Sequence, residues 1–174
     1  MNRRGIPLVC GALALALIAA PVLGRWSPRI LWNTTPSVPV GLYWLRPLDR
    51  VAIGDLVAVQ PPEALARFLA ARGYLPDGVP LLKHVVALAP TEVCRHGDVI
   101  LVAGQPLGTA QSQDRQGRDL PRWQGCHRLA EGEVFLMNPA APDSLDGRYF
   151  GALPVTTLTA RLRPIWPRGP VPAP

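Results

Sequence analysis

Lysine is nearly absent from this chain: among 18 Lys and Arg residues in 174, Lys83 is the single lysine. Histidine and cysteine are also scarce, with three of each. None of His84, His96 and His127 stands in a Gly-x-Ser-x-Gly elbow or another recognisable serine-triad setting. A His-Glu-x-x-His pair, a Gly-rich phosphate loop and a dinucleotide fingerprint are all missing, so no sequence motif supports zinc-peptidase, nucleotide-dependent or nicotinamide-dependent chemistry. Cys94 and Cys126 are isolated, with no histidine pair at ligand spacing, so neither a metal nor a cofactor is expected. There is no internal repeat or low-complexity block to mark a second domain. The formal net charge is +6, but the basic residues are scattered in small knots such as Arg3-Arg4 and Arg161-Leu162-Arg163. No nucleic-acid partner is therefore expected.

What the chain has in quantity is proline, 21 residues, and glycine, 16 residues. These cut it into short pieces, disfavour a helical bundle and predict a mainly β fold of brief strands joined by turns.

Residues Ile6 to Gly24 form an uncharged run of 19 residues, which as a helix spans about 28 Å, close to the hydrocarbon thickness of a bilayer. Arg3 and Arg4 precede it and hold that end in the cytoplasm, which puts the rest of the chain on the other side: a single-pass protein of a bacterial inner membrane facing the periplasm. A cleaved secretory signal is the alternative, but the run exceeds the usual ~7–15 residue apolar core of such a signal. The chain divides into a cytoplasmic start and anchor (1–24), a periplasmic domain (25–163) and a Pro-rich tail (164–174) expected to be extended or disordered. Trp26 and Trp32 follow the anchor and suit a lipid interface. Cys10 lies in the apolar run as a passive small hydrophobe. Cys94 and Cys126 lie in the exported part, where a disulfide persists, and are expected to pair. The loop so closed is about 33 residues long, worth up to roughly 3–4 kcal/mol in the chain-entropy model.

Strands are predicted at 40–45, 56–59, 81–88, 99–102, 133–137 and 156–162 from apolar, β-branched runs bounded by Pro or Gly. Residues 61–73 read as the one soluble helix, with proline at the start, Glu63 in the first turn, Leu65, Phe68 and Leu69 at helical spacing and Gly73 as the stop.

A hydrolase without a histidine triad needs another base. Lys83 lies in the apolar run Pro80-Leu81-Leu82-Lys83-His84-Val85-Val86-Ala87-Leu88, where His84 points to the opposite face. A lone lysine is ordinarily a surface residue. Burial in such a run disfavours its charged form and moves it toward the range in which a neutral amine accepts a proton from a serine hydroxyl. Ser37, flanked by Pro36 and Pro39 just before a strand, is the matching hydroxyl, although a Ser/Pro turn commonly has no chemistry.

The run Asn33 to Tyr43, with its Ser-x-Pro-x-Gly-Leu-Tyr core, resembles the nucleophile box of the TraF-like conjugative transfer signal peptidases, which use serine and lysine. Leu81 to Leu88 resembles their lysine box, Gly132-Glu133-Val134-Phe135-Leu136 the strand before the last box, and Asp143 to Gly151 that box itself. The resemblance implies a mostly antiparallel β domain in which Ser37 is the nucleophile and Lys83 the general base. It places Thr35 and the Ser37 N–H at the oxyanion, Ser144 on the lysine amine, and Asp146 with Arg148 as a supporting ion pair, with Asp146 among the catalytic residues. Two departures stand out: Gly147 where the family often has serine, and Ala89-Pro90-Thr91 in place of the usual Pro-Gly-Asp turn. The implied function is a membrane-bound endopeptidase that processes exported precursors of a conjugation or secretion system, a pilin-like precursor above all, with cleavage and in some members ring closure. Its implied partners are that precursor, inner-membrane lipid and other transfer components. The rival readings are a general type I signal peptidase and a non-enzymatic periplasmic assembly factor of a transfer pore.

Overall fold

The computed structural model describes residues 7, 9–16 and 29–169. Residues 9–16 are helical, and the remainder of the expected 6–24 span, residue 7 aside, lies outside the described residues, as do Trp26 and the tail beyond residue 169. Among the described residues no helix is long and apolar enough to cross a membrane.

From residue 29 on, the chain forms β1 (Ile30–Asn33), β2 (Val40–Arg46), β3 (Leu56–Val59), α1 (Glu63–Ala71), β4 (Leu81–Leu88), β5 (Glu92–His96), β6 (Val99–Val102), β7 (Gln105–Thr109), β8 (Gly125–Arg128), β9 (Glu133–Met137), α2 (Gly147–Phe150), β10 (Leu153–Pro154) and β11 (Leu158–Arg168). Two antiparallel sheets result. The larger has the order β1-β2-β11-β3-β4-β9-β10, and the smaller has the order β7-β6-β5-β8. The mainly β class is as expected, and β3, β4, β6 and β9 start and stop where their apolar runs do. The helix is shorter at each end than the 61–73 expected, with Pro62 preceding it and Gly73 at φ +69° ending it.

The last strand departs from the expectation of 156–162. It opens later, after a 3₁₀ turn at Val155–Thr157, and runs through two prolines to Arg168, so residues 164–168 belong to the sheet and not to the tail. The pairing explains this. β11 meets β3 only as far as Arg161, whereas it stays on β2 to Arg168. Beyond Arg161 it has one neighbour, and proline is tolerated where no ladder bond is needed on the second side. The register shift between Pro164 and Trp166 marks the local irregularity.

Phe135 and Met137, fully buried, face Ala87, Val93, Ile100 and Leu129 in a cluster that joins the two sheets. Burying a side chain the size of Phe135 contributes about 1.5–3 kcal/mol. This cluster fixes β9, and the chain leaving β9 carries the residues that surround Lys83. The smaller sheet is tied by the Cys94–Cys126 disulfide, which joins directly paired positions of β5 and β8.

Candidate active site

Lys83 lies in the interior of β4, opposite Val57 of β3. It is only 4 % exposed. Burial is the main influence on its amine and pulls the pKa from 10.5 down to about 8. The field of Asp146 works against that shift, and the field of Arg148 adds to it. The apolar run 80–88 thus does to this amine what burial does in general: it makes the neutral form accessible near neutral pH.

Lys83 Nζ donates to Ser144 Oγ at 2.9 Å. Ser144 is itself buried and sits in the turn between β9 and α2. Ser37 is half-buried in the turn between β1 and β2. Both Ser37 and Lys83 line one groove of about 860 Å³. No hydrogen bond joins the Ser37 hydroxyl to the amine in the free protein, a looseness usual before substrate binds and tightens such contacts.

The turn that carries Ser37 is organised by Asn33, a residue to which sequence reasoning gave no role. Its Nδ2 donates to Thr35 O at 2.8 Å, Val38 O at 3.1 Å and Pro39 O at 3.2 Å. Its Oδ1 accepts from Thr35 N at 3.1 Å and from Thr35 Oγ1 at 2.9 Å. The Tyr43 hydroxyl donates to Pro39 O at 2.6 Å and closes the far side. Two prolines restrict the turn, and these side chains fix it. The Thr35 hydroxyl is committed to Asn33 in this state and reaches an oxyanion only by rotating. The Ser37 N–H has no acceptor among the described residues and is free to serve.

Asp146 and Arg148 form a buried pair, with Arg148 Nε 2.9 Å from Asp146 Oδ1 and Nη2 2.8 Å from Oδ2. The guanidinium also donates to the carbonyls of Asn138, Ala141 and Pro142. It therefore ties together the loop that presents Ser144. Asp146 further accepts from Asn138 N at 3.0 Å, caps α2 through Arg148 N, and does not line the groove. It acts on Lys83 through its field and through the loop, not by contact.

Sequence reasoning also passed over Asn138 and Arg95. Asn138 Nδ2 donates to Leu82 O at 3.0 Å, and its Oδ1 accepts from His84 N at 3.1 Å. Arg95, fully buried, donates from Nη1 to Arg148 O at 2.7 Å and links the smaller sheet to the loop. Each is one residue in an unremarkable stretch, and its role exists only once the strands are paired.

Gly147, one of the two departures, has a packing cause. A Cβ there would lie 2.7 Å from Leu136 O and 2.8 Å from the Phe135 ring, so no serine side chain fits. The other departure, Ala89-Pro90-Thr91, still makes a turn, closed by Thr91 N to Leu88 O at 3.0 Å, with Pro90 in cis. Cys94, His96 and Cys126 form the one cluster of ligand spacing among the described residues. Its two sulfurs are bonded to each other and are not thiolates a metal could use.

A model of the family described as signal peptidase, peptidase S26, matches residues 3–166. A plasmid transfer protein TraF from Escherichia coli is 33 % identical over 178 residues, covering 95 % of this chain and 96 % of the relative. A probable conjugal transfer protein TraF from Sinorhizobium fredii is 36 % identical over 164 residues, covering 88 % and 86 %. A probable signal peptidase I-1 from Synechocystis is 27 % identical over 162 residues, covering 87 % and 76 %.

Proposed function

Since this chain belongs to the signal peptidase S26 family, matched over residues 3–166, we propose that it is a membrane-anchored serine endopeptidase in which Ser37 is the nucleophile and Lys83 the general base. The observation that carries this reading is the single lysine of the chain, buried, with its pKa lowered to about 8, on the same groove as Ser37.

The neutral amine takes the Ser37 Oγ proton as Oγ attacks the scissile carbonyl. The Ser37 N–H, with Thr35 after rotation, receives the oxyanion in a site that low dielectric makes effective. When the C–N bond breaks, the Lys83 ammonium gives its proton to the leaving amine, and the acyl group remains on Ser37. The bond to Ser144 takes up one amine N–H and holds the amine in the groove it shares with Ser37. Asp146 and Arg148 hold the Ser144 loop.

The substrate is an exported precursor, and the likeness to two TraF proteins of transfer systems points to a pilin-like one. The lipid surface is the second partner. Trp32, Leu42 and Trp166 stand in one cross-strand row of β1, β2 and β11, and Ile30, Trp44 and Arg163 in another. Trp32, Trp44 and Trp166 are all exposed. Exposed aromatic rows at the entry of the domain suit a bilayer interface more than bulk water.

Mass spectrometry of the pilin precursor of the same transfer system, co-expressed with this chain, tests the reading. Cleavage is expected with the natural sequence and is expected to vanish with Ser37→Ala and with Lys83→Ala while both variants stay folded. Loss of a further water from the product would show ring closure. Processing that survives both substitutions would leave a scaffold, not a peptidase.

A further inference from the structure

Ser37 borders two cavities, and the second has no part in the chemistry described above. It measures about 360 Å³ and is lined by Ile53, Gly54, His84, Val86, Leu107 and Asn138, among others. Ser37 and Ala140 are the two residues it shares with the larger groove. A chain crossing the Ser37 hydroxyl therefore enters one space and leaves by the other.

The two spaces differ in size. The groove that holds Thr35, Ser37, Lys83 and Ser144 has about 860 Å³ against about 360 Å³ for the second cavity, which assigns it to the longer acyl part of the substrate. The geometry points to the second cavity as the binding site for the residues that follow the scissile bond and, once these have left, for the acceptor that resolves the acyl-enzyme. This assignment rests on Ser37 being the nucleophile.

The cavity has the chemistry for such an occupant. Its walls are apolar at Ile53, Val86 and Leu107 and suit a small side chain. Its polar lining includes His84 and Asn138 beside Ser37. His84 Nδ1 lies 3.0 Å from Asn138 Oδ1, and the orientation of that amide is set by Nδ2, which donates to Leu82 O. Nδ1 therefore carries the hydrogen in the neutral ring, and Nε2 is left as an acceptor. An acceptor nitrogen on a residue that shares this cavity with Ser37 fits the N–H of a leaving or incoming amine. In the second step the amine nitrogen bonds to the acyl carbon, the Ser37 Oγ–C bond breaks, and the amine proton passes to neutral Lys83 and on to Oγ. Water follows the same path when no amine is held.

The test uses the full chain in detergent micelles and two probes with the same Ala-x-Ala acyl part. One is a methyl ester with nothing beyond the scissile bond, and the other continues for three residues. Alaninamide is added as an acceptor, and products are separated by mass. Ile53→Trp fills the cavity from an exposed turn position where the fold does not depend on the side chain. It is expected to lower kcat/KM on the longer probe about tenfold more than on the ester, and to reduce the share of acyl groups transferred to the amide by a similar factor. His84→Ala is expected to reduce the transfer share as well. Equal effects on both probes, with an unchanged transfer share, would overturn the assignment while leaving the nucleophile in place. Full ester turnover by Ser37→Ala would overturn both.

Discussion

Asn138 bonds the peptide groups on both sides of Lys83, donating to Leu82 O and accepting from His84 N. The ladder between β4 and β9 reaches its end at the His84–Met137 pair. One residue further, a side-chain amide continues the job of a strand backbone and holds β4 where the amine must not drift. The Asn138 N–H donates to Asp146 Oδ2, so the acidic loop and the lysine strand are registered through this one residue.

Asn138→Ala is therefore expected to leave a buried carbonyl and a half-buried N–H short of a partner, at a cost of about 1–3 kcal/mol. On the methyl ester it is also expected to lower kcat with little change in KM, because the amine loses its placement while the larger groove, which Asn138 does not line, is unchanged. Urea unfolding and steady-state kinetics on one preparation separate the two effects. A loss confined to stability would make Asn138 a fold residue only.

Ser144→Ala removes the acceptor of the Lys83 N–H bond. With the amine free to turn, kcat is expected to fall on the order of 10²-fold, as for other small misplacements of a reacting group. KM should stay close to that of the parent, while the unfolding midpoint should fall, because the buried amine is left without its partner at a cost of about 1–3 kcal/mol. Kinetics alongside thermal unfolding check this.

Asp146→Asn takes away the charge that opposes the lowering of the Lys83 pKa and leaves the Arg148 charge that assists it. The neutral amine is favoured as a result. The acid limb of the pH profile of kcat/KM is thus expected to move to lower pH, even as the buried pair loses about 3–5 kcal/mol. A limb that moves to higher pH would contradict the assigned influence of Asp146.

Gly147→Ser restores the residue type expected at that position, yet the approach of Leu136 O and the Phe135 ring leaves no space for it. Such overpacking costs about 1–3 kcal/mol and should appear as a lowered Tm.

The strands with uniform apolar runs were legible because burial on both faces demands such runs: β3 and β4 are the examples. β5, β7 and β8 were not, since Arg95, Pro106 and the exposed Gly125–Arg128 carry no strand pattern of their own and are held by pairing and by the Cys94–Cys126 bond. The expected disulfide is present because β5 and β8 place its two cysteines opposite one another. Within the site, Ser37 and Lys83 could be picked out by scarcity and by flanking residues. Asn33, Asn138 and Arg95 could not, since an amide or guanidinium that bonds backbone groups far along the chain leaves no local trace.

The lone lysine offers the most direct test. Lysine labelled with ¹³C at Cε gives a single side-chain resonance in this chain, and its titration reads the Lys83 pKa. Burial lowers that pKa in the folded state, so the unfolded chain binds more protons between about 8 and 10.5. The cost of burying the amine is full below that window, and stability rises with pH across it. The resonance is expected to titrate near pH 8, and kcat/KM is expected to rise through the same midpoint and level off above it. A midpoint near the ordinary 10.5, or activity that keeps its full value well below pH 8, would contradict Lys83 as the neutral base of Ser37.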